Sequence, residues 1–227
     1  MRTAFRTRRR RPDGVRSVLG FGGRLYRRLL AHPFVYDRVR PLVIGGLDMS
    51  PVYESLEAGP NDVIVDVGCG TGDALRYLPS FSRYHGFDVD AAAIEVARER
   101  AAGRRGVTYE PRELTATDLA SLQPSLVILA GLLHHLDDSQ AVELLELLAQ
   151  TPSIRRIVTQ DVVYLPDERV SNLLARLDRG KHVRGEQGYR KLVVRAGLEL
   201  ETARIVRSRP QSGRALYLVL TLALPLQ

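Results

Sequence analysis

Between residues 60 and 225 the apolar positions follow two alternating rhythms. Val63-Ile-Val-Asp-Val67 is an almost unbroken apolar run, the pattern of a strand buried on both faces of a parallel sheet. It ends at Gly68, Gly70 and Gly72, and Asp73 to Leu78 then predicts a helix stopped by Pro79. Tyr84 to Val89 predicts a second strand. Asp90 can cap the next helix, which carries Ala93, Ile94, Ala97 and Ala101 on one face and has Gly103 beyond its end. A third strand follows from Gly106 to Glu110 and a fourth from Ser125 to Gly131. Asp137 and Asp138 can cap a helix bearing Val142, Leu145 and Leu148. Arg156 to Val163 predicts the fifth strand, and Gly188 to Ala196 a helix ended by Gly197. Leu198 to Val206 and Arg214 to Leu224 predict two final strands. From Glu168 to Glu186 the alternation breaks, and an inserted loop is expected there. Five strands alternating with helices predict an α/β chain, long enough for one full core.

The N-terminus follows another rule. Residues 1–14 predict a disordered arm closed by Pro12-Asp13-Gly14. From Val15 to Leu47, the positions Leu25, Leu29, Leu30, Phe34, Val35 and Val39 predict one or two amphipathic helices, interrupted at Pro33 and Pro41. Residues 15–59 are thus expected to form a helical unit ahead of a domain at 60–227. The net charge of +7 resides at this end. Residues 1–28 hold ten arginines against Asp13, whereas the remainder has 23 basic and 25 acidic residues. A basic arm can meet nucleic acid, acidic lipid or an acidic protein, or simply stay solvated. Lysine occurs only at Lys181 and Lys191, so the preference for arginine runs through the whole chain. No apolar run approaches the ~20 residues of a membrane span. No signal-peptide core follows Arg8-Arg9-Arg10-Arg11. Cys69 is the single cysteine, which excludes an intrachain disulfide and a multi-cysteine zinc site. A cytoplasmic protein is the expectation.

The chemistry concentrates at the first strand's end, where a glycine turn and a helix N-terminus let backbone approach a ligand closely. The dinucleotide spacing G-x-G-x-x-G is not met: position 73 is Asp73, and the third glycine comes one residue early, at Gly72. No Gly-Lys-Ser/Thr follows, as a phosphate loop would need. Asp66, two residues before the first glycine, suits a ligand carrying positive charge. The run Asp66-Val-Gly68-Cys-Gly70-Thr-Gly72 resembles motif I of the class I S-adenosylmethionine-dependent methyltransferases. Gly86-Phe-Asp88-Val resembles their motif II, and Asp88 stands 20 residues after Gly68. A carboxylate there can accept hydrogen bonds from both hydroxyls of a ribose.

The resemblance covers about residues 60–225. It implies a doubly wound, mostly parallel seven-stranded sheet with a terminal antiparallel strand pair, plus N-terminal helices that close over the site, with Tyr26, Phe34 and Tyr36 lining them. It implies S-adenosylmethionine as cofactor, S-adenosylhomocysteine as product, and no metal. The cofactor contacts it implies are Asp66, Gly68, Cys69, Gly70, Gly72, Asp88, Val89, Glu113, Leu114 and Ala130; Glu113 stands where many members have Asp. Leu133-His134-His135-Leu136 resembles the segment that borders the transferred methyl group in small-molecule members. His135, ahead of His134, is the candidate base for an acceptor that must lose a proton. Adjacent histidines rarely chelate one ion, and Ala130-Gly131 stand where metal-dependent catechol-type members carry an acid. The acceptor is expected beyond the fourth and fifth strands, near Tyr36, Asp161, Tyr164, Arg179 and Arg184, the arginines being shaped for a carboxylate or phosphate.

The function implied is methyl transfer to an O, C or N atom of a small molecule. Two other classes compete: an RNA or protein methyltransferase using the arginine-rich tail, and an S-adenosylmethionine-binding enzyme that transfers no methyl group. Against RNA, the Asp/Asn-Pro-Pro-aromatic motif of exocyclic-amine enzymes is absent, and Cys69 lies in the glycine turn instead of serving as a cytosine-C5 nucleophile.

Overall fold

The computed structural model describes residues 49–176, 178, 180–207 and 216–225. The expected arm, the helices up to residue 48 with Tyr26, Phe34 and Tyr36, and also Arg179 lie outside the described residues.

The chain runs through α1 (Ser50–Leu56), β1 (Val63–Val67), β2 (Arg83–Phe87), α2 (Ala91–Arg100), β3 (Val107–Glu110), α3 (Ala116–Leu122) and β4 (Leu126–Ala130). It continues through α4 (Asp138–Ala149), β5 (Arg156–Tyr164), α5 (Arg169–Arg176), β6 (Arg184–Gly185), α6 (Glu186–Arg195), β7 (Glu199–Arg207) and β8 (Leu216–Ala223). Seven strands form one sheet in the order β3-β2-β1-β4-β5-β8-β7, as the seven-stranded expectation has it. The first five are mutually parallel, and β8 is antiparallel to both β5 and β7. The two-residue β6 is an addition, pairing with Val163 and Tyr164 off the main path. The order reverses at β1, which has β2 on one side and β4 on the other. Loops leaving these two strands diverge and open a crevice at their C-terminal ends.

Strand alternation divides the core in two. Val65, Val127, Leu129 and Ile157 face α4 and α6 through Leu145, Leu148, Leu192 and Val193. Ile64, Ile128 and Val158 face α1 and α2 through Leu56, Ile94 and Ala97. Each fully buried aliphatic side chain contributes about 1.5–3 kcal/mol.

Departures from the sequence reading have local causes, among them α3, which was not expected and opens on a capping box of Thr115 and Asp118. After β1 the chain makes only a 3-10 turn, Asp73–Arg76, because Pro79 leaves too few residues to propagate an α-helix. Within the stretch expected as a loop, α5 forms because Asn172 bonds the backbone of Leu165 through both side-chain atoms, at 3.1 and 2.7 Å, and Ala175 packs on Val162 and Tyr217. Finally, α1 packs into the core through Val52, Tyr53 and Leu56.

Candidate active site

The glycine turn after β1 is folded back onto the end of β2. Gly68 N–H and Cys69 N–H both donate to Phe87 O, at 2.7 and 3.2 Å, and Gly70 N–H donates to Asp88 Oδ2 at 2.9 Å. Gly70 has φ +52° and open space where a side chain would stand. Gly72 has φ +76°, and a Cβ there would meet Tyr109 Oη at 2.5 Å, so close packing against β3 and left-handed backbone both require glycine. Cys69 is half-buried beside Gly86, and desolvation, aided by Asp66 and Asp88, pushes its thiol far above the usual range. It is therefore no nucleophile.

A cleft opens here, at the C-terminal ends of β1, β2 and β3. Val67, Gly68, Phe87, Asp88 and Val89 form one part of its wall, Arg112, Glu113 and Leu114 a second, and Leu132, Leu136 and Leu144 a third. The sequence reading thus has Gly68, Asp88, Val89, Glu113 and Leu114 on this wall, while Asp66, Cys69, Gly70, Gly72 and Ala130 are not among the lining residues. It missed Val67, Phe87, Arg112, Leu132 and Leu144, while Leu136 belongs to the segment expected beside the methyl group. Arg112 lies over the Phe87 ring at 5.1 Å and is held by Asp118 through two bonds of 2.7 and 2.8 Å. Arg112 in turn pulls Asp118 down to about 2. Its neighbour Glu113 is the only sequence signal that marks it. The leucines look like ordinary core residues until the loop after β4 turns back over β1.

Two buried acids define the polar end. Asp88 Oδ1 accepts from Asp90 N at 2.9 Å, so the carboxylate ties the turn to the helix α2 that Asp90 caps. Burial raises Asp88, with those N–H bonds pulling it back. Asp66 lies beneath the turn, 3% exposed, with Oδ2 accepting from Tyr84 Oη at 2.5 Å and Oδ1 without a partner. Burial first, and then Asp88, push it up to about 7 against the Tyr84 bond. An unpaired buried carboxylate oxygen beside a cleft calls for a cationic or hydrogen-bond-donating ligand.

On the other side of the β4 loop, the histidines part company. His134, in the 3-10 turn Leu133–His135, is buried. Its Nδ1 lies 2.7 Å from Asp161 Oδ1, its N–H donates to the same oxygen at 3.0 Å, and Nε2 lies 3.2 Å from Asp178 Oδ1. Desolvation would lower it, but the bonds and charges of Asp161 and Asp178 prevail and push it up to about 9. With a carboxylate at each ring nitrogen, the protonated form of His134 is favoured and both nitrogens are engaged within the chain. One ring nitrogen of His134, one of His135 and a carboxylate oxygen of Asp178 lie within 4.8 Å of one another, while both His134 nitrogens are already within bonding distance of a carboxylate. His135 is half-buried, its ring 4.3 Å from that of His134.

Two expected acceptor contacts are corrected. Asp161 is buried, with Oδ1 bonded to His134. Arg184 has all five N–H groups engaged within the chain: Nε and Nη2 with Asp138 at 2.8 and 2.7 Å, Nη1 with Leu133 O and His182 O at 2.9 and 2.8 Å, and Nη2 also with Leu136 O at 2.8 Å. It has no donor left for a carboxylate or phosphate. Tyr164 is half-buried at the end of β5, against the Val162, Ala175 and Tyr217 cluster.

Residues 65–151, from β1 through α4, match the family described as "Methyltransferase domain". No curated relative matches the sequence. Among solved structures, a S-adenosylmethionine-dependent methyltransferase of Methanosarcina mazei is similar over 80% of this chain and 100% of its own, with TM-score 0.61 and 15% identity. Geranyl diphosphate C-methyltransferase of Streptomyces coelicolor A3(2), solved with S-adenosyl-L-homocysteine, is similar over 76% of each chain, with TM-score 0.55 and 18% identity. The N-methyltransferase NodS of Bradyrhizobium japonicum WM9 covers 87% of this chain and 99% of its own, with TM-score 0.57 and 16% identity. At these identities the structures establish the fold.

Proposed function

We propose that the chain is an S-adenosylmethionine-dependent methyltransferase that moves a methyl group to an O, C or N atom of a small-molecule acceptor, a reading supported by the methyltransferase-domain match over residues 65–151. One observation carries the cofactor reading: a nearly apolar cleft bounded by leucines ends at the Asp88 carboxylate and the glycine turn. Leucines on facing walls suit a flat purine, and each Asp88 oxygen keeps a lone pair for a ribose hydroxyl beyond its bond to Gly70 or Asp90. Asp66 offers its unpaired oxygen to the cationic end of the ligand. A pyrophosphate would find no free cation on this wall, because Arg112 is paired with Asp118.

When bound, S-adenosylmethionine supplies an electrophilic methyl group on a positively charged sulfur. The chain's own residues orient the reactants and exclude water. His135 takes a proton where the acceptor must lose one, since both ring nitrogens of His134 are engaged by Asp161 and Asp178. Support for a small acceptor comes from the neighbours whose names state one, geranyl diphosphate among them. The arginine-rich arm, on which the nucleic-acid reading rests, lies outside the described residues. Among the described residues no helix is long and apolar enough to cross a membrane. A half-buried cysteine as the only thiol suits a cytoplasmic setting.

The test is thermal stability with ligand. S-Adenosylmethionine or S-adenosylhomocysteine should raise Tm and NAD should not, because a ligand of the native state stabilises it. Asp88→Ala should weaken binding at least tenfold. Unchanged affinity would remove the ribose from Asp88, and release of S-adenosylhomocysteine with a candidate acceptor separates transfer from mere binding.

A further inference from the structure

The segment between α5 and α6 is laced onto the turn after β4 at three points. Asp178 meets His134 Nε2, His182 N–H donates to His134 O at 3.0 Å, and Arg184 bonds Leu133 O, Leu136 O and Asp138. Gly180 lies so close beneath the His134 ring that a Cβ there would meet Cδ2 at 2.1 Å. The ring itself is fixed from the far side by Asp161 of β5. The His134 ring thus bonds β5 through Asp161 and this strap through Asp178.

We propose that His134 is a positioning residue: an imidazolium clamped between Asp161 and Asp178 that locks the 178–184 strap onto the turn after β4 and so fixes the neighbouring His135 for the acceptor. The proposal rests on the methyltransferase reading only for His135's role. The clamp stands on geometry alone. Its charges form an alternating row, with Asp161, His134 and Asp178 in sequence and Arg184 between the same strap and Asp138. A neutral imidazole carries one N–H and can donate to only one of the two carboxylates. Loss of the proton therefore frees one anchor and leaves two buried carboxylates facing each other across the ring. The groups facing His134 are Asp161 from β5, Asp178 from the strap and His135 from its own turn, with Arg184 acting on Asp161.

The experiment is an NMR titration of the five imidazoles of the full chain, followed by kinetics. One resonance should stay protonated past pH 8, titrate near 9, and vanish in His134→Gln. In Asp178→Asn it should titrate at least one pH unit lower. His134→Gln and Gly180→Ala should each cut kcat/KM for the acceptor at least tenfold while leaving the dissociation constant for S-adenosylhomocysteine within twofold. Acceptor turnover in the wild type should decline with the same titration near pH 9. A His134 resonance that titrates at or below 6.5 overturns the clamp, and the wild-type measurement stands even where a variant fails to fold. Equal losses of turnover and cofactor affinity would place His134 in the general fold instead. Failure of the wild type to bind S-adenosylhomocysteine would sink the methyltransferase reading and leave the titration result untouched.

Discussion

At the scale of single residues, the Asp66 carboxylate is buried with one oxygen unpaired. Its folded-state value of about 7 lies above the ordinary 3.8. A carboxyl raised on folding stabilises the native state most below pH ~4 and loses that contribution as pH rises through 7. Asp66→Asn retains an acceptor for Tyr84 and removes the charge. At pH 8 the ligand-free variant should gain about 1–3 kcal/mol, seen as several degrees in Tm. Its affinity for S-adenosylmethionine should fall at least tenfold. Identical melting of both proteins at pH 8 would show that the buried charge costs nothing. Asp66 and Asp88 were legible in sequence because their spacing from the glycines fixes their place on the strand ends. Asp161 and Arg184 were not: their residue types suit an acceptor, and only the fold shows their polar atoms turned towards His134 and the carbonyls of the β4 loop.

At the scale of elements, legibility followed self-sufficiency. The helices α2, α4 and α6 announce themselves through their own residues: Asp90 and Asp137 as N-caps, the latter in a capping box with Gln140, and Gly197 after α6. By contrast α1 and α5 exist through what they touch, so periodicity alone could not find them. The strap after α5 is the extreme case, a non-repetitive segment held by Arg184. Arg184→Ala should cost about 3 kcal/mol, since three carbonyls and Asp138 lose their donor together. Arg184→Lys should recover only part of it, because an ammonium cannot span the fork. Tm comparison decides the matter. A variant that melts like the wild type, with only the acceptor's KM changed, would return Arg184 to the recognition surface.

At the scale of the whole molecule, the strand–helix alternation predicted the parallel half of the sheet, and the closing antiparallel pair followed from the resemblance. What no periodicity could supply was the reversal of order at β1, set by which strands pair across the chain: Ser125 at the head of β4 receives the Val63 N–H and bonds Asp62. The same view separates arm from body. With the charge excess confined to residues 1–28, deletion of residues 1–14 should leave Tm and S-adenosylmethionine affinity unchanged. Unfolding, or lost affinity, would make the arm part of the domain.

The two flanks of the sheet also bear on how the protein behaves among its own copies. The flank at β3 is only four residues long, Val107–Glu110. The opposite flank, β7, is nine residues long, and its outer row of backbone N–H and C=O groups could template another strand. That row is guarded by exposed Glu199, Glu201, Arg204 and Arg207, charges of both signs that a stacking neighbour would have to strip of water. Among the described residues β7 is the long outer edge of the sheet, and charges of both signs along it oppose pairing with another copy.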